Sequence, residues 1–295
     1  MNRSKFLNIL GLASLNLSMN TLNDLKKLSD LFPVSETKMP VLFLGHGSPM
    51  NGIEENQFTK GFQNISKTLP KPNAIVCVSA HWFTKGTKIT AMQIPKTIHD
   101  FGGFPQELFE QQYPAQGSPE LAIETKKLLQ PTPVQLDHDW GLDHGTWTVL
   151  KHLFPKADIP VIQLSIDYTK DANYHFELAK QLRPLRNKGI LIVGSGNIIH
   201  NLRLIDWKNF DKDNYGYDWA IEAHETINKH LLNGNYVPLI NYEKQSKAFQ
   251  LAIPSPDHYL PLIYALGLQQ KNESIELFND KLLAGSLSMT SLKIS

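Results

Sequence analysis

The sequence predicts an α/β fold built on a mainly parallel sheet. After Pro40, short apolar runs typical of strands alternate with longer segments of helical periodicity. The runs at 161–162 and 190–193 are apolar on both faces, as buried parallel strands are. With 295 residues, 41% of them hydrophobic, the chain can bury a large core. We therefore expect one large α/β domain.

The predicted elements follow one another in an alternating order. Strands are predicted near 41–45, 74–80, 160–166 and 189–194, with a further extended segment around 285–293. Helices are predicted near 56–69, 118–130, 146–153, 171–187, 217–232 and 257–267. The segments 92–117 and 131–146 are predicted to be long loops, which in a compact domain are more often functional than idle.

Residues 1–38 differ from the remainder and are predicted to form an N-terminal extension. Leucines at positions 22, 25, 28 and 31 recur at helical spacing, which favours an amphipathic lead-in helix. The alternative is an export signal, because Arg3 and Lys5 precede a short apolar stretch. Asparagines interrupt that stretch and no small-residue cleavage site follows it, so the helix is the preferred interpretation.

Charge and cysteine content narrow the classes of partner. Lysine plus arginine (29) nearly cancels aspartate plus glutamate (28), so no bulk electrostatic attraction favours nucleic acid or an anionic membrane. No apolar stretch is long enough to span a bilayer. The single cysteine, Cys77, lies in an apolar strand and excludes an intramolecular disulfide. We expect a small-molecule partner and a reducing, cytoplasmic location.

Four histidines lie at the ends of predicted strands or at the start of a helix. His46 follows the first strand, His81 the second and His200 the fourth, whereas His258 opens the 257–267 helix. In open α/β sheets ligands bind beyond the carboxyl ends of the strands, because several loops converge there. Neutral imidazole is a common ligand for zinc and also suits ferrous iron. The four positions together therefore predict one metal site.

Two loops carry further candidates. His99, Phe101 and Phe104 lie within one glycine-containing segment that we interpret as a pocket wall, the alternative being an ordinary turn. His144 follows Asp143 at a predicted helix start, which suits a general acid or base. The alternative for this pair is helix capping by Asp143 with a solvated His144. The remaining histidines, His138, His152, His175, His224 and His230, are expected to be solvated or on helix surfaces.

These motifs, taken in order, are similar to those of a known family. The chain resembles the class III, LigB-like extradiol ring-cleavage dioxygenases, and within them the 4,5-DOPA dioxygenase extradiol group. The matching segments are 45–50, 79–82, 99–105, 143–145, 194–202 and 257–261. The resemblance extends from residue 39 to the C-terminus, so 39–295 is predicted to be the catalytic domain and 1–38 lies outside it.

The resemblance implies a three-layer α/β/α sandwich with a mixed, mainly parallel central sheet. It also implies a mononuclear non-haem Fe(II) site, which Zn(II) often occupies in isolated protein. His46, His81 and His258 are the implied metal ligands, and His200 is implied to be either a fourth ligand or an acid/base beside the metal. The wider superfamily usually completes its site with a glutamate. Here the matching position is His258, with Asp257 next to it.

The activity implied by the resemblance is extradiol cleavage of a catechol such as L-DOPA, with both atoms of O2 entering the product. No organic cofactor is expected. His144 or His200 would move a catechol proton, while Trp82, Phe101 and Phe104 would pack against the ring. One alternative is a zinc-dependent hydrolase on an α/β fold, which would act without oxygen. A non-catalytic structural zinc module is ranked last, since such sites usually use cysteine ligands at close spacing.

Overall fold

A six-stranded mixed sheet forms the centre of the computed structural model, which describes residues 37–295. The strands are β1 (Val41–Gly45), β2 (Ala74–Ser79), β3 (Phe83–Thr84), β4 (Thr87–Thr90), β5 (Val134–Asp137), β6 (Val161–Gln163), β7 (Ile166–Asp167), β8 (Ile190–Gly196), β9 (Ile275–Phe278), β10 (Leu282–Leu283), β11 (Leu287–Ser288) and β12 (Ser291–Ile294). The central sheet has the order β6-β2-β8-β1-β12-β9. Strands β6, β2, β8 and β1 are parallel, and β12 and β9 add antiparallel pairs at one edge.

Helices cover both faces of this sheet. They are α1 (Gln57–Ser66), α2 (Gln106–Phe109), α3 (Pro119–Leu128), α4 (His144–Leu153), α5 (Ala172–Lys180), α6 (Arg183–Arg186), α7 (Asp218–Leu232), α8 (Val237–Ile240), α9 (Lys247–Ala252) and α10 (Leu260–Leu268). Among these described helices, none combines the length and apolarity that a bilayer crossing requires. The predicted lead-in helix falls outside the described residues.

Alternate side chains of the central strands build two separate hydrophobic cores. Val41 and Phe43 of β1 point into the core under α3, α5, α7, α9 and α10. Leu42 and Leu44 of the same strand point into the opposite core, under α1 and α4. Successive strand residues face opposite sides of a sheet, so two cores on one sheet define a three-layer sandwich. The predicted α/β fold with its mixed, mainly parallel sheet is confirmed.

Short polar residues begin the helices that border the carboxyl ends of the parallel strands. Asn56 accepts from the backbone N–H groups of Phe58 and Thr59 and starts α1. Asp143 accepts from the backbone N–H of Thr146 and starts α4. These side chains satisfy amide groups that have no partner within the helix. The sequence thereby fixes where α4 begins, which in turn places His144.

Two predicted elements are interrupted. The strand predicted near 160–166 divides into β6 in the central sheet and β7, which pairs with β3 in a small separate sheet. The helix predicted over 171–187 divides into α5 and α6, because Pro184 has no N–H to donate to the carbonyl of Lys180.

The segments predicted as loops contain α2 and β5. Edge strand β9 was not predicted, since its half-exposed residues form no continuous apolar run.

The prediction that His175 is solvated is wrong. Its side chain is fully buried in α5, where Nδ1 lies 2.9 Å from the Tyr264 hydroxyl and Nε2 lies 3.2 Å from the Asp167 carbonyl oxygen. Because that carbonyl can only accept, Nε2 carries the proton and Nδ1 accepts from the Tyr264 hydroxyl. Burial lowers the pKa of His175 to about 4. A neutral histidine is therefore part of the core.

This buried histidine predicts a loss of stability in acid. Between pH 6.5 and about 4 the unfolded chain gains a proton at His175 that the folded chain does not, so unfolding becomes more favourable as the pH falls. Over this pH range, the protonation of His175 in the unfolded chain lowers the free energy of unfolding by about 3 kcal/mol. Urea denaturation of a His175→Gln variant over this pH range should show a shallower decline in unfolding free energy than the wild type. A variant of the exposed His138, His138→Gln, should keep the wild-type slope; equal slopes in all three proteins would exclude this role for His175.

Candidate metal centre

Three of the predicted histidines converge at the carboxyl ends of β1, β2 and β8. His46 follows β1, and its backbone N–H bonds the carbonyl of Gly196 at the end of β8. His81 follows β2 by two residues. His258 precedes α10, and its carbonyl accepts from the backbone N–H of Asn197 just beyond β8. The parallel pairing of these strands is what brings residues from distant parts of the chain to one place.

The ring nitrogens of these three histidines face a common point. The Nε2 atoms of His46 and His81 are 3.2 Å apart, and one nitrogen of His258 lies within 4.8 Å of both. The ring centroids are separated by 5.0 to 5.2 Å. His46 and His258 are buried, and His81 is only partly exposed. The three side chains therefore form a compact cluster below the surface.

The protonation of His46 follows from its hydrogen bonds. Its Nδ1 lies 3.0 Å from the Ser195 hydroxyl, and that hydroxyl donates its only proton to the carbonyl of Gly145. The Ser195 oxygen must then accept from Nδ1–H of His46. Nε2 of His46 is left with an unshared electron pair, directed towards His81.

The other two histidines have carboxylates beside Nδ1. Asp257 accepts a hydrogen bond from Nδ1 of His258. Asp100 Oδ2 lies 3.4 Å from Nδ1 of His81. A carboxylate beside one ring nitrogen keeps the proton there and leaves the other nitrogen free to bind a metal. All three histidines are thus arranged with Nε2 as the ligand atom.

This arrangement fits a transition-metal ion. If both nitrogens are unprotonated, their unshared pairs face each other across 3.2 Å, and a cation between them would stabilise both. Two imidazole nitrogens that share a tetrahedral zinc ion are separated by roughly 3.3 Å, given zinc–nitrogen bonds of about 2.0–2.1 Å. The separation between His46 and His81 matches that value. Neutral nitrogen donors suit zinc and ferrous iron and do not suit magnesium or calcium, which prefer oxygen.

Burial keeps the imidazoles of His46 and His81 neutral. It lowers the pKa of His46 well below 6.5, with a further contribution from the neighbouring histidines. Burial, followed by the proximity of His144 and His258, lowers the pKa of His81 to about 2. Burial disfavours ionisation of Asp257, but its hydrogen bond with His258 outweighs that effect and lowers the carboxyl pKa. The cluster combines neutral nitrogen ligands with an ionised carboxylate behind one of them.

Two glycines allow the close approach of these segments. A Cβ on Gly196 would lie 2.1 Å from the carbonyl oxygen of His258, and a Cβ on Gly145 would lie 2.8 Å from Cδ2 of His81. Real Cβ atoms do not tolerate such distances. The glycine in each motif is therefore required for the backbone to place His258 and His81.

His200 lies beside this cluster in a different orientation. Its ring stacks on that of His258, with centroids 3.6 Å apart and an angle of 11° between the planes. It can share a site with His258 and Asp257, but it does not group with His46 and His81. Burial, followed by the proximity of His258, lowers the pKa of His200 to about 3. Its role, as fourth ligand or as acid/base, stays a prediction.

The structure bears on the capping alternative for the Asp143–His144 pair, while the acid/base role of His144 stays a prediction. Asp143 is buried and caps α4, as the capping alternative stated, and it also accepts from Ser79 and Gln163. His144, however, is only 5% exposed, and the centroid of its ring lies 3.8 Å from that of His81, so it is not solvated. His144 therefore belongs to the histidine cluster.

The predicted wall residues lie at different distances from the cluster. Phe101 meets the edge of the His144 ring, with centroids 5.5 Å apart, and Phe104 packs against Phe101. His99 instead points to the carbonyl oxygen of Gln111, 2.9 Å from its Nε2. Trp82 is buried and stacks on Trp140 at 5.8 Å. Phe101 borders the histidines directly and Phe104 lies behind it, and substrate contact by any of the four residues stays a prediction.

Sequence reasoning did not select Asp100, the neighbour of His99, as a site residue. Its Oδ1 accepts from the backbone N–H of His144 at 2.9 Å and lies 3.1 Å from Nδ1 of the same residue. Burial disfavours ionisation of Asp100, but the interactions with His144 outweigh it and lower the carboxyl pKa. The signal was present in the motif, but a pattern of letters does not tell which of two adjacent polar residues faces the pocket.

Comparison with known proteins assigns the chain to a family. A family model described as the catalytic LigB subunit of aromatic ring-opening dioxygenase matches residues 40–288. The chain belongs to this LigB family. The predicted enzyme class, an aromatic ring-opening dioxygenase, is thereby confirmed, and the hydrolase alternative is not favoured.

Individual LigB relatives agree with this assignment. The chain is 50% identical over 265 residues to a protein of Escherichia coli strain K12 named 4,5-DOPA dioxygenase extradiol, covering 88% of this chain and 96% of that protein. A protein of the same name from Beta vulgaris is 36% identical over 259 residues, covering 86% and 95%. A crystal structure of an uncharacterized protein from Escherichia coli K12 matches with a TM-score of 0.75 and 45% identity, covering 87% of this chain and 100% of that one.

The cluster predicts a specific pattern of metal loss. Replacement of His46, His81 or His258 by alanine should abolish stoichiometric binding of about one transition metal per chain, because each variant removes one of the few predicted ligands. His138→Ala, at an exposed position, is the control and should keep the wild-type metal content. Elemental analysis of the purified variants measures this directly. Full occupancy in the His46 and His81 variants would remove those residues from the coordination sphere.

Proposed function

We propose that this LigB dioxygenase opens the ring of L-DOPA, or of a similar ring-substituted catechol, by extradiol cleavage at the 4,5 position. The observation that carries the proposal is the convergence of one ring nitrogen each from His46, His81 and His258, all within 4.8 Å of one another, in a chain half identical to a 4,5-DOPA dioxygenase extradiol. The aromatic residues beside the cluster suit a planar ring. The proposed substrate preference rests on the names of the relatives and on the aromatic residues beside the histidine cluster.

The metal in our proposal is Fe(II), held by His46, His81 and His258. When bound, it supplies the redox chemistry that allows dioxygen to react with an aromatic diol. Zn(II) suits the same nitrogen donors and is expected in isolated protein, but it has no accessible redox change. His144 and Phe101 border the cluster on the side of His81, and the substrate is proposed to bind against them.

Phe101 and Phe104 would orient the catechol ring. They pack edge to face at 5.5 Å, and Phe101 also contacts the ring of His144. An aromatic substrate placed against such a wall gains contact area and a preferred tilt. The two glycines between them, Gly102 and Gly103, have open space around them. The wall can therefore adjust to substituents on the ring.

His144 is the proposed proton carrier. Its Nδ1 faces the Asp100 carboxylate, so Nε2 is the atom available to accept a proton from a catechol hydroxyl. The carboxylate then stabilises the imidazolium that forms, as the aspartate of a catalytic triad does for its histidine. His200 lies on the other side of the cluster, against His258, and is proposed to orient the substrate or to return a proton to the product.

The reaction balances without any further reagent. One catechol and one O2 give one ring-opened product, in which the carbon–carbon bond next to the diol has broken. One oxygen atom becomes part of a carboxylate and the other part of an aldehyde. The proton that His144 takes from the substrate returns to the product or to solvent, so the enzyme ends in its starting state.

The proposal predicts oxygen uptake that depends on the metal. Fe(II)-loaded protein should consume one O2 per L-DOPA molecule and yield a yellow semialdehyde or its cyclised derivative. The Zn(II)-loaded protein should be inactive, because zinc can act only as a Lewis acid. An oxygen electrode with parallel absorbance spectra measures both. Under ¹⁸O2, mass spectrometry should find two labelled atoms in the first product, allowing for exchange of the aldehyde oxygen with water.

Failure of a broad catechol panel to consume oxygen with the Fe(II) form would contradict the proposed reaction. If the Zn(II) form then hydrolysed an ester or amide, the hydrolase alternative would replace it. Cleavage between the two hydroxyl-bearing carbons would instead retain ring opening and exclude the extradiol position.

His144→Gln should separate proton transfer from metal binding. We expect the variant to retain its metal and to lose catalytic rate by about 10²–10⁴-fold, the usual contribution of a positioned acid or base. Steady-state kinetics with L-DOPA at full metal occupancy, checked by elemental analysis, provides the measurement. Wild-type turnover would leave His144 with a packing role only, and loss of metal would make it a ligand.

A further inference from the structure

The Asp100 carboxylate lies between two histidines that have different proposed roles. Its Oδ2 is 3.4 Å from Nδ1 of His81, and its Oδ1 is 3.1 Å from Nδ1 of His144. The two imidazole rings are themselves in contact, with centroids 3.8 Å apart. The carboxylate of Asp100 therefore lies close to Nδ1 of both rings.

Backbone contacts hold Asp100 in this place. Leu142 donates to the carbonyl of Lys96 and accepts from the N–H of Ile98, both at 2.8 Å, which fixes the 96–98 segment against the residue before Asp143. The indole of Trp147 donates to the carbonyl of Ile98 at 3.0 Å. Asp100 follows two residues later and accepts from the backbone N–H of His144. The carboxylate is thus attached to the start of α4.

Gly141 permits this attachment. A Cβ at position 141 would lie 2.3 Å from the carbonyl oxygen of Lys96, so only glycine lets the two segments approach so closely. The segment that carries Asp100 also carries Phe101, the proposed wall of the substrate pocket. Wall, carboxylate and helix start therefore form one connected unit around the two histidines.

We propose that Asp100 is a positioning residue that serves both histidines at once. It holds the proton on Nδ1 of His81 and on Nδ1 of His144, so that Nε2 of His81 binds the metal and Nε2 of His144 receives the substrate proton. The inference rests on the proposed function for the roles of the two histidines. An isolated neutral imidazole favours the opposite tautomer, so a nearby acceptor is needed at both rings.

The tautomer of His144 can be observed in the wild-type protein. Zn(II)-loaded protein labelled with ¹⁵N at the histidine side chains should show, in long-range ¹H–¹⁵N spectra at neutral pH, the Nδ1–H form for His144, whose Nε2 is not expected to bind the metal. The spectrum of the His144→Gln variant assigns the signal. An Nε2–H form of His144 would overturn the inference, and no variant of Asp100 is needed for this result.

A double-mutant cycle tests the two effects separately. Asp100→Asn keeps the shape of the side chain but has a single acceptor oxygen, so it can serve one ring and presents an N–H donor to the other. Zn(II) affinity, measured by competition with a chromogenic chelator, should fall about 10–100-fold in Asp100→Asn. It should fall equally in Asp100→Asn combined with His144→Gln, because this effect acts through His81. Asp139→Asn, an exposed aspartate in a nearby loop, should bind Zn(II) like the wild type.

The effect of Asp100→Asn on the catalytic rate, unlike its effect on Zn(II) affinity, should depend on whether His144 is present. At saturating Fe(II), kcat of the combined variant should exceed the value expected if the losses of Asp100→Asn and His144→Gln multiplied, because part of the Asp100 effect acts through His144. Wild-type Zn(II) affinity in Asp100→Asn, or losses in kcat that multiply fully, would overturn the inference. If wild-type protein turned over no catechol, the proposed reaction would fail, while the zinc affinities would still decide the role of Asp100 at His81 and the tautomer of His144 its role there.

Discussion

The proposed metal site depends on keeping the Nε2 atoms of three imidazoles free of protons in a largely buried space. A buried pair of unshared electron pairs is unfavourable unless a cation lies between them. The His46–His81 contact would be such a pair when the metal is bound. Each ring must therefore carry its proton on Nδ1, and each Nδ1 needs an acceptor that the fold provides. Much of the surrounding structure serves this one requirement.

The sheet supplies those acceptors from separate strands. Ser195 lies at the end of β8 and accepts from His46 on the neighbouring strand β1. Its own proton goes to the first turn of α4, so the tautomer of His46 depends on where that helix begins. Asp143 fixes that beginning by capping α4. Asp143, which caps a helix, thus also affects the proton position on His46, a predicted metal ligand.

The sequence alone was sufficient to predict those site residues whose positions follow from local patterns. Apolar runs that end in glycine and histidine placed His46 and His81 at strand ends, and parallel pairing then brought them together. The acceptors behind them could not be predicted, because His46 and Ser195 are 149 residues apart and their contact depends on strand order. The same reason explains His175, whose partner Tyr264 lies 89 residues away in another helix. In a helical pattern a histidine resembles any other polar residue, so its burial was missed.

In the proposed site, His258 stands where the resemblance implies a glutamate ligand, and this changes where the negative charge would lie. Three neutral ligands leave a divalent ion with its full charge, whereas a glutamate ligand would remove one unit. Here Asp257 places a carboxylate on Nδ1 of His258, and Asp100 places a second one beside His81. With a metal bound, these two negative charges would offset its charge of +2 without coordinating it. The ion would still attract a deprotonated catechol at short range, and the two carboxylates would reduce the free-energy cost of burying it. A charge that a glutamate would place on the metal would then be held beside the imidazoles.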